Sequence, residues 1–353
     1  MTNEMSQTEQ FAGQVVSDVA AALSGVMTSL GHKLGLYKSM AGVGSLSSTE
    51  LARRTKLERR YVLEWLNNQV AGGYVSYDAA EETYELPDAH IPVLVDEDSP
   101  VFLVPALEVA ASLWHDEGKL ENAFRTGEGI AWSDHNERLF CGSEALFKPG
   151  YKASLVNEWI GAFDGLKVEL DDGAKIADVG CGHGASAIIL ANAFPKSKVF
   201  GFDNHIRSIE MAHKRARESD VGDNLQFKVA TAKNFPGADF DLICYMDCLH
   251  DMGDPLGAAR HAYGALKRGG RVLLVEPAAA DRIEDNINPV SRLYYAASTG
   301  VCTPCSRSQE VGTALGAQAG PKRLSDILLK AGFEETRVVT RTPFNIILEA
   351  RKA

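Results

Sequence analysis

The chain is short of the features that mark several protein classes. It has no run of about 18 uninterrupted apolar residues, the length a membrane-spanning helix needs. The most apolar stretch, 101–114, is broken by Pro105 and Glu108. Cysteine is sparse, six in 353 residues, which excludes a disulfide-built scaffold. There are no internal repeats and no low-complexity tracts. Basic charge is not in surplus: 36 Lys and Arg against 47 Asp and Glu leave a net of −11. A general polyanion-binding surface is therefore not expected. The N-terminus, MTNEMSQTEQ, is polar with two acids and is unlike a signal peptide. These absences predict a cytoplasmic protein with reduced cysteines and no membrane partner.

What is present is ordinary globular composition, 45% hydrophobic and 24% charged. The length predicts two domains, and Gly165 followed by Asp171-Asp172-Gly173 predicts a boundary near 165. Charge divides there too. Residues 1–165 hold 12 basic and 24 acidic side chains, net −12, and 166–353 hold 24 and 23, net +1.

The first half reads as helical. Apolar spacing predicts a helix over 15–30. Leu46-Ser47-Ser48-Thr49-Glu50-Leu51 is a helix start: Ser47 and Glu50 fit a capping box, with Leu46 and Leu51 as the staple. A second helix, 58–70, buries Val62, Trp65 and Leu66 and stops at Gly72-Gly73. Short β runs at 74–77 and 83–86 follow, which makes a winged helix-turn-helix pattern. Further helices are expected at 101–124 and 144–163. The second half alternates strand and helix, which predicts a doubly wound, Rossmann-like α/β sheet. Strands are expected at 175–179, 198–202, 225–229, 241–245 and 271–275, and helices near 185–193, 206–218, 255–267 and 321–331. Two strands, 335–341 and 344–349, suggest a terminal antiparallel hairpin. Residues 281–320 form an Ala/Gly/Ser-rich insertion of the kind that serves as a lid.

The strongest motif is Ile176-Ala177-Asp178-Val179-Gly180-Cys181-Gly182-His183-Gly184 at a strand–helix junction. Glycines there permit a tight turn and close ligand approach. Asp203, 25 residues after Asp178, ends the next strand, where a carboxylate can accept ribose hydroxyls. Two readings compete. Gly180-x-Gly182-x-x-Ala185 satisfies a dinucleotide fingerprint, which would imply a nicotinamide-dependent oxidoreductase. Asp178-x-Gly180-x-Gly182-x-Gly184 resembles the class I S-adenosylmethionine-dependent methyltransferases. Ala230-Thr231-Ala232, Met246-Asp247-Cys248-Leu249-His250-Asp251 and Leu266-Lys267-Arg268-Gly269-Gly270-Arg271 through Glu276 agree with that resemblance, although Thr231 stands where an Asp is frequent. The resemblance covers 170–353. It implies that Asp178, Gly180, Gly182, Gly184, Asp203, Asn204, Thr231, Ala232 and Asp247 bind S-adenosylmethionine, with S-adenosylhomocysteine as product.

His250 and Glu276 lie at the C-terminal ends of neighbouring strands, the side where open α/β sheets bind ligands. A carboxylate there can orient an imidazole that takes a proton from a hydroxyl acceptor. Leu249-His250-Asp251-Met252 resembles the His-Asp-Trp segment of plant-type small-molecule O-methyltransferases. That resemblance implies His250 as general base and Glu276, 26 residues on, as its assistant. It also implies an N-terminal winged-helix domain that builds a homodimer and covers a small-molecule pocket. O-methylation is favoured, with C- or N-methylation left open. Glu310 is the candidate for a second assisting acid, and Asp251 reads as a cap for the following segment. In the lid, Tyr294 and Tyr295 are candidates for sandwiching a planar acceptor, beside Arg292. Trp132, with Phe140 and Phe147, is a candidate to close over the site. Cys302-Thr303-Pro304-Cys305 has no second pair or His cluster at zinc spacing, so no metal is expected.

A winged helix also suggests a DNA-binding regulator. Its recognition helix would carry Arg59 and Arg60, but residues 73–90 hold five acids and no Lys or Arg. Phosphate neutralisation supplies most DNA affinity, so nucleic acid is not the expected partner.

Overall fold

The computed structural model describes residues 6–353, so the first half of the polar N-terminal segment lies outside the described residues. The chain divides into two compact units. One takes residues up to Ala111 together with Arg138–Pro149; the other takes Ser112–Glu137 together with Gly150–Ala353. This differs from a single cut near 165. The last crossing falls inside the helix Arg138–Ser154, at Pro149. Proline there removes a helical hydrogen bond and weakens the helix's continuity. The stretch holding Trp132 therefore belongs to the second unit, not to the first.

The first unit opens with the helix Gln7–Lys33, started by a Ser6–Glu9 capping box. This helix corrects the reading of apolar runs. Among the described residues it alone is long and apolar enough to cross a membrane by length and composition, and little of it is buried. Polar residues interrupt the run in sequence, but on the helix surface Phe11, Val15, Val19, Leu23, Val26 and Leu30 are all exposed. They recur at steps of four and three, which is one face.

The winged-helix elements follow. Helix Ser48–Thr55 carries the Ser47–Glu50 capping box. Helix Arg59–Ala71 is capped by Glu58, whose carboxylate accepts the amides of Arg60 and Tyr61. It buries Val62, Trp65, Leu66 and Gln69 in a core with Tyr37, Met40, Leu51 and Tyr84. Strands β1 (Ser76–Asp78) and β2 (Thr83–Glu85) pair antiparallel as the wing. Elsewhere in this unit Glu108 accepts Ser29, Lys33 and Arg138, each at 2.7 Å. Burial opposes its charge, but Arg138, Lys33 and Ser29 hold the carboxyl down at about 2.

The second unit is built on a seven-stranded sheet. Its strands are β3 (Lys175–Val179), β4 (Lys198–Asp203), β5 (Leu225–Val229), β6 (Phe240–Met246), β7 (Leu266–Pro277), β8 (Glu335–Arg341) and β9 (Asn345–Arg351). The order is β5-β4-β3-β6-β7-β9-β8. The first five run parallel, and β9 is antiparallel to both β7 and β8. Strand order reverses between β3 and β4 on one side and β6 on the other, so a crevice opens at their C-terminal ends. β3 and β6 are buried almost throughout, as parallel strands covered by helices on both faces should be. Helices Ala185–Ala193, Ile206–Glu218, Pro255–Ala265 and Gly320–Ala331 supply that cover. β7 begins five residues before its expected start: Leu266 already pairs with Phe240, and a register shift absorbs Lys267 to Gly270. The insertion is partly helical, with Pro289–Ala297, a π-helical turn Ser298–Cys302, and Thr303–Arg307.

Candidate active site

β3 delivers Asp178 and the glycine loop to the crevice. Gly180 and Gly184 have φ of 77° and 83°, a region that favours glycine. A Cβ on Gly184 would stand 2.6 Å from the Phe227 ring, and one on Gly180 would stand 2.8 Å from Cys248 Sγ. A Cβ on Gly182 would meet nothing within 4 Å, so the loop's middle is its open face.

Asp203 braces that loop. Its Oδ2 accepts the Gly182 amide at 2.9 Å and its Oδ1 accepts the His205 amide at 2.8 Å. Each carboxylate oxygen has a second lone pair, so ribose hydroxyls can still be accepted. Asn204 beside it is exposed. Thr231 is exposed, and both its amide and its hydroxyl donate to Asn234 Oδ1, while Ala232 packs against the sheet core.

Asp178 is fully buried. Its Oδ2 accepts Ser186 Oγ at 2.6 Å, and its Oδ1 is buried with no hydrogen-bond partner. Burial pushes its carboxyl up to about 7, against the lowering effect of Ser186. A buried acceptor without a donor is costly, and a ligand ammonium or hydroxyl there would remove the cost. Asp247 is different. It sits at a φ of 50°, and Tyr151 Oη and Asn345 Nδ2 donate to its two oxygens at 2.8 and 2.7 Å. Burial, then the charge of Glu276, pushes it up to about 7. Each of its oxygens takes one hydrogen bond, which ties the β6 end to Tyr151 and to the start of β9. Tyr151, Ser186 and Asn345 carry no motif that marks them from sequence.

His250 and Glu276 meet. Parallel pairing of Met246 with Val275 brings the two strand ends level, and the Asp247 amide donates to Val275 O. Glu276 Oε2 is hydrogen-bonded to His250 Nδ1, and its Oε1 accepts the Leu249 amide at 3.0 Å. Both side chains are nearly inaccessible, at 4% and 2%. With Nδ1 fixed on a carboxylate, Nε2 is the working nitrogen. Burial opposes charge on His250, but Glu276 and then Asp251 outweigh it and hold the imidazolium well above the ordinary range. Such an imidazole takes a proton avidly once it has given up the one it holds.

On the Nε2 side stand Asp251 and Cys302. Asp251 Oδ1 is 3.2 Å from Nε2 and buried without a hydrogen-bond partner. The cap expected of Asp251 belongs to Asp254, which accepts the Gly257 amide. Glu310 is a surface acid holding Lys233 at 2.8 Å. Tyr294 is buried and donates to Phe344 O at 2.8 Å, so its hydroxyl is tied to the β8–β9 turn. Tyr295 and Trp132 are half-buried in the second unit, while Phe140 and Phe147 lie in the first.

Comparison with known proteins fits this geometry. Residues 21–95 match the Rv2258c-like winged HTH domain, and residues 170–332 match a methyltransferase domain. The chain therefore carries a winged HTH domain and a methyltransferase domain, and its fold is that of the class I S-adenosylmethionine-dependent methyltransferases. The chain is 36% identical over 104 residues to 27-O-demethylrifamycin SV methyltransferase of Amycolatopsis mediterranei (strain S699), 29% of this chain and 38% of that one. The chain thus spans well under half of that relative's length. Among solved structures it resembles human N-acetylserotonin methyltransferase in complex with S-adenosylmethionine, with a TM-score of 0.70 at 19% identity, covering all of both chains. It also resembles an O-methyltransferase family protein from Burkholderia thailandensis, with a TM-score of 0.68 at 16% identity, covering 99% and 98%.

Proposed function

We propose that this protein transfers a methyl group from S-adenosylmethionine to a hydroxyl of a small molecule, with His250 as general base and Glu276 as its orienting partner. The observation that carries the reading is the buried Glu276–His250 pair at the ends of β6 and β7. The methyl donor supplies an electrophilic methyl on a sulfonium. Positioning can then lower much of the barrier. Asp178 Oδ1 fits a donor's ammonium, Asp203 and Asn204 its ribose, and the open face at Gly182 its passage along the backbone. Thr231 and Ala232 would border its base. His250 Nε2 would take the acceptor's proton as the oxygen attacks, and Glu276 would stabilise the resulting cation. Titrating S-adenosylhomocysteine and NAD separately by calorimetry tests the donor assignment. Tight binding of NAD in place of S-adenosylhomocysteine would reverse it.

Two further parts of the reading concern the first unit. We infer that it pairs with a second copy of the chain through the exposed stripe on Gln7–Lys33. The stripe keeps to one face in steps of four and three residues, which suits a seam for another helix, whereas a membrane-spanning helix would be apolar all round. We also infer that duplex DNA is not its ligand. The wing has no cationic side chain, and Arg60 of the would-be recognition helix is paired with Glu64.

A further inference from the structure

The Nε2 side of His250 holds chemistry that methyl transfer does not require. Among the described residues, one trio of His, Cys and carboxylate ligand atoms converges: His250, Asp251 and Cys302, all within 4.8 Å of one another. We propose that His250 Nε2, Asp251 Oδ1 and Cys302 Sγ form a binding site for a zinc-class divalent cation, with one coordination position left open.

Four observations carry this. The first is donor chemistry: one imidazole, one thiolate and one carboxylate form a mixed set suited to zinc and its borderline neighbours, not to magnesium or calcium. The second is spacing. Zinc–nitrogen and zinc–oxygen bonds of about 2.0–2.2 Å at a tetrahedral angle place the two atoms about 3.3 Å apart. Nε2 and Asp251 Oδ1 stand 3.2 Å apart, out of line for a hydrogen bond with each other. The third is the far side of the ring. Glu276 on Nδ1 is the partner that a metal-binding histidine ordinarily has, since it fixes Nε2 as the ligand and raises its basicity. The fourth is backbone. Cys302 ends a π-helical turn, Ser298–Cys302, in the insertion; such turns are rare and cluster at functional sites. Asp251 Oδ1 is buried without a hydrogen bond and has the His250 ring 3.2 Å away, so a cation between the two would satisfy it.

Sequence spacing hides the site. Cys302 is 52 residues after His250, and Cys305, its C-x-x-C companion, is buried but outside the converging trio. The proposal uses the same histidine as the methyl-transfer reading, and its consequence for turnover rests on that reading. A cation on Nε2 occupies the lone pair that would accept the acceptor's proton. Metal loading and proton transfer through Nε2 then exclude one another, and a zinc-class ion inhibits hydroxyl methylation.

The test is titration of the full-length, chelator-treated protein with cobalt(II), followed by absorbance. One equivalent should give thiolate-to-cobalt charge transfer in the near ultraviolet with the visible bands of four-coordinate cobalt, and zinc should displace both. Cys302→Ser should lose the charge-transfer band and Cys305→Ser should keep it. Asp251→Asn should weaken cobalt binding by about tenfold or more, the size of change that even outer partners of a metal site produce. Asp251 is partly exposed, 24% for its side chain, so this variant carries the test if Cys302→Ser does not fold. No charge-transfer band, a band that survives Cys302→Ser, or unchanged affinity in Asp251→Asn would overturn the site. The spectrum needs neither methyl donor nor acceptor. A missing band therefore leaves the methyl-transfer reading standing, and a full band on an inactive enzyme leaves the metal site standing.

Discussion

His250 Nδ1 rests on one carboxylate oxygen of Glu276 while the other oxygen holds the amide of Leu249, the residue before that histidine. One side chain thus fixes both the ring and the backbone that carries it. Glu276→Gln keeps the shape and removes the charge. Its amide can still accept from Leu249, but the imidazolium loses its counter-ion. Turnover is expected to fall by about 10²-fold or more. Affinity for S-adenosylhomocysteine, measured by calorimetry, should stay within a few-fold.

Donor binding is expected to depend on pH through Asp178. Its carboxyl is pushed up to about 7 by burial, so the free protein carries a proton there below that pH. An ammonium against Oδ1 favours the ionised form and lowers the pKa. Binding therefore releases a proton, and affinity falls as pH drops below about 7. Calorimetry of S-adenosylhomocysteine at pH 6 in buffers of different ionisation enthalpy should show the release, and Asp178→Asn should abolish it. The same raised pKa means that folded-state stability from this group is present at low pH and is lost as pH rises through about 7.

Gly184→Ala should destabilise the second unit. The residue has a φ of 83°, and the new methyl would stand 2.6 Å from the buried Phe227 ring. Left-handed strain and overpacking together predict a loss of about 2–4 kcal/mol, read by chemical denaturation.

Leu23→Asp should break self-association. The side chain is 68% exposed in the single chain, so the variant's own fold should be spared. Sedimentation velocity should report a dimer for the natural sequence and a monomer for the variant. A monomeric natural protein would contradict the pairing, and flotation with vesicles would assign the stripe to lipid instead.

Much of the catalytic unit is legible in sequence because its signals are local. Strands 175–179, 225–229 and 335–341 and helices 185–193 and 206–218 lie where apolar runs and glycine punctuation put them. The Glu276–His250 contact follows from two adjacent strand ends of a familiar topology. What is not legible depends on tertiary placement. Cys302 reaches His250 through a π-helical turn inside an insertion without periodicity. Tyr294 looks like an acceptor-facing aromatic but is tied to a hairpin turn. Glu310 has the right type and region, yet a surface lysine claims it. The apolar spacing over 15–30 announces the helix Gln7–Lys33, but only the structure shows that this apolar face is left exposed.

The most direct test of hydroxyl methylation through His250 is a labelled-methyl turnover screen across phenols and hydroxylated small molecules. The natural protein and His250→Ala are compared on whichever acceptor is found. The account predicts label on an acceptor oxygen, a turnover about 10²–10⁴-fold lower in His250→Ala, and nearly unchanged S-adenosylhomocysteine affinity. Equal turnover by His250→Ala, or label on carbon or nitrogen alone, would contradict it.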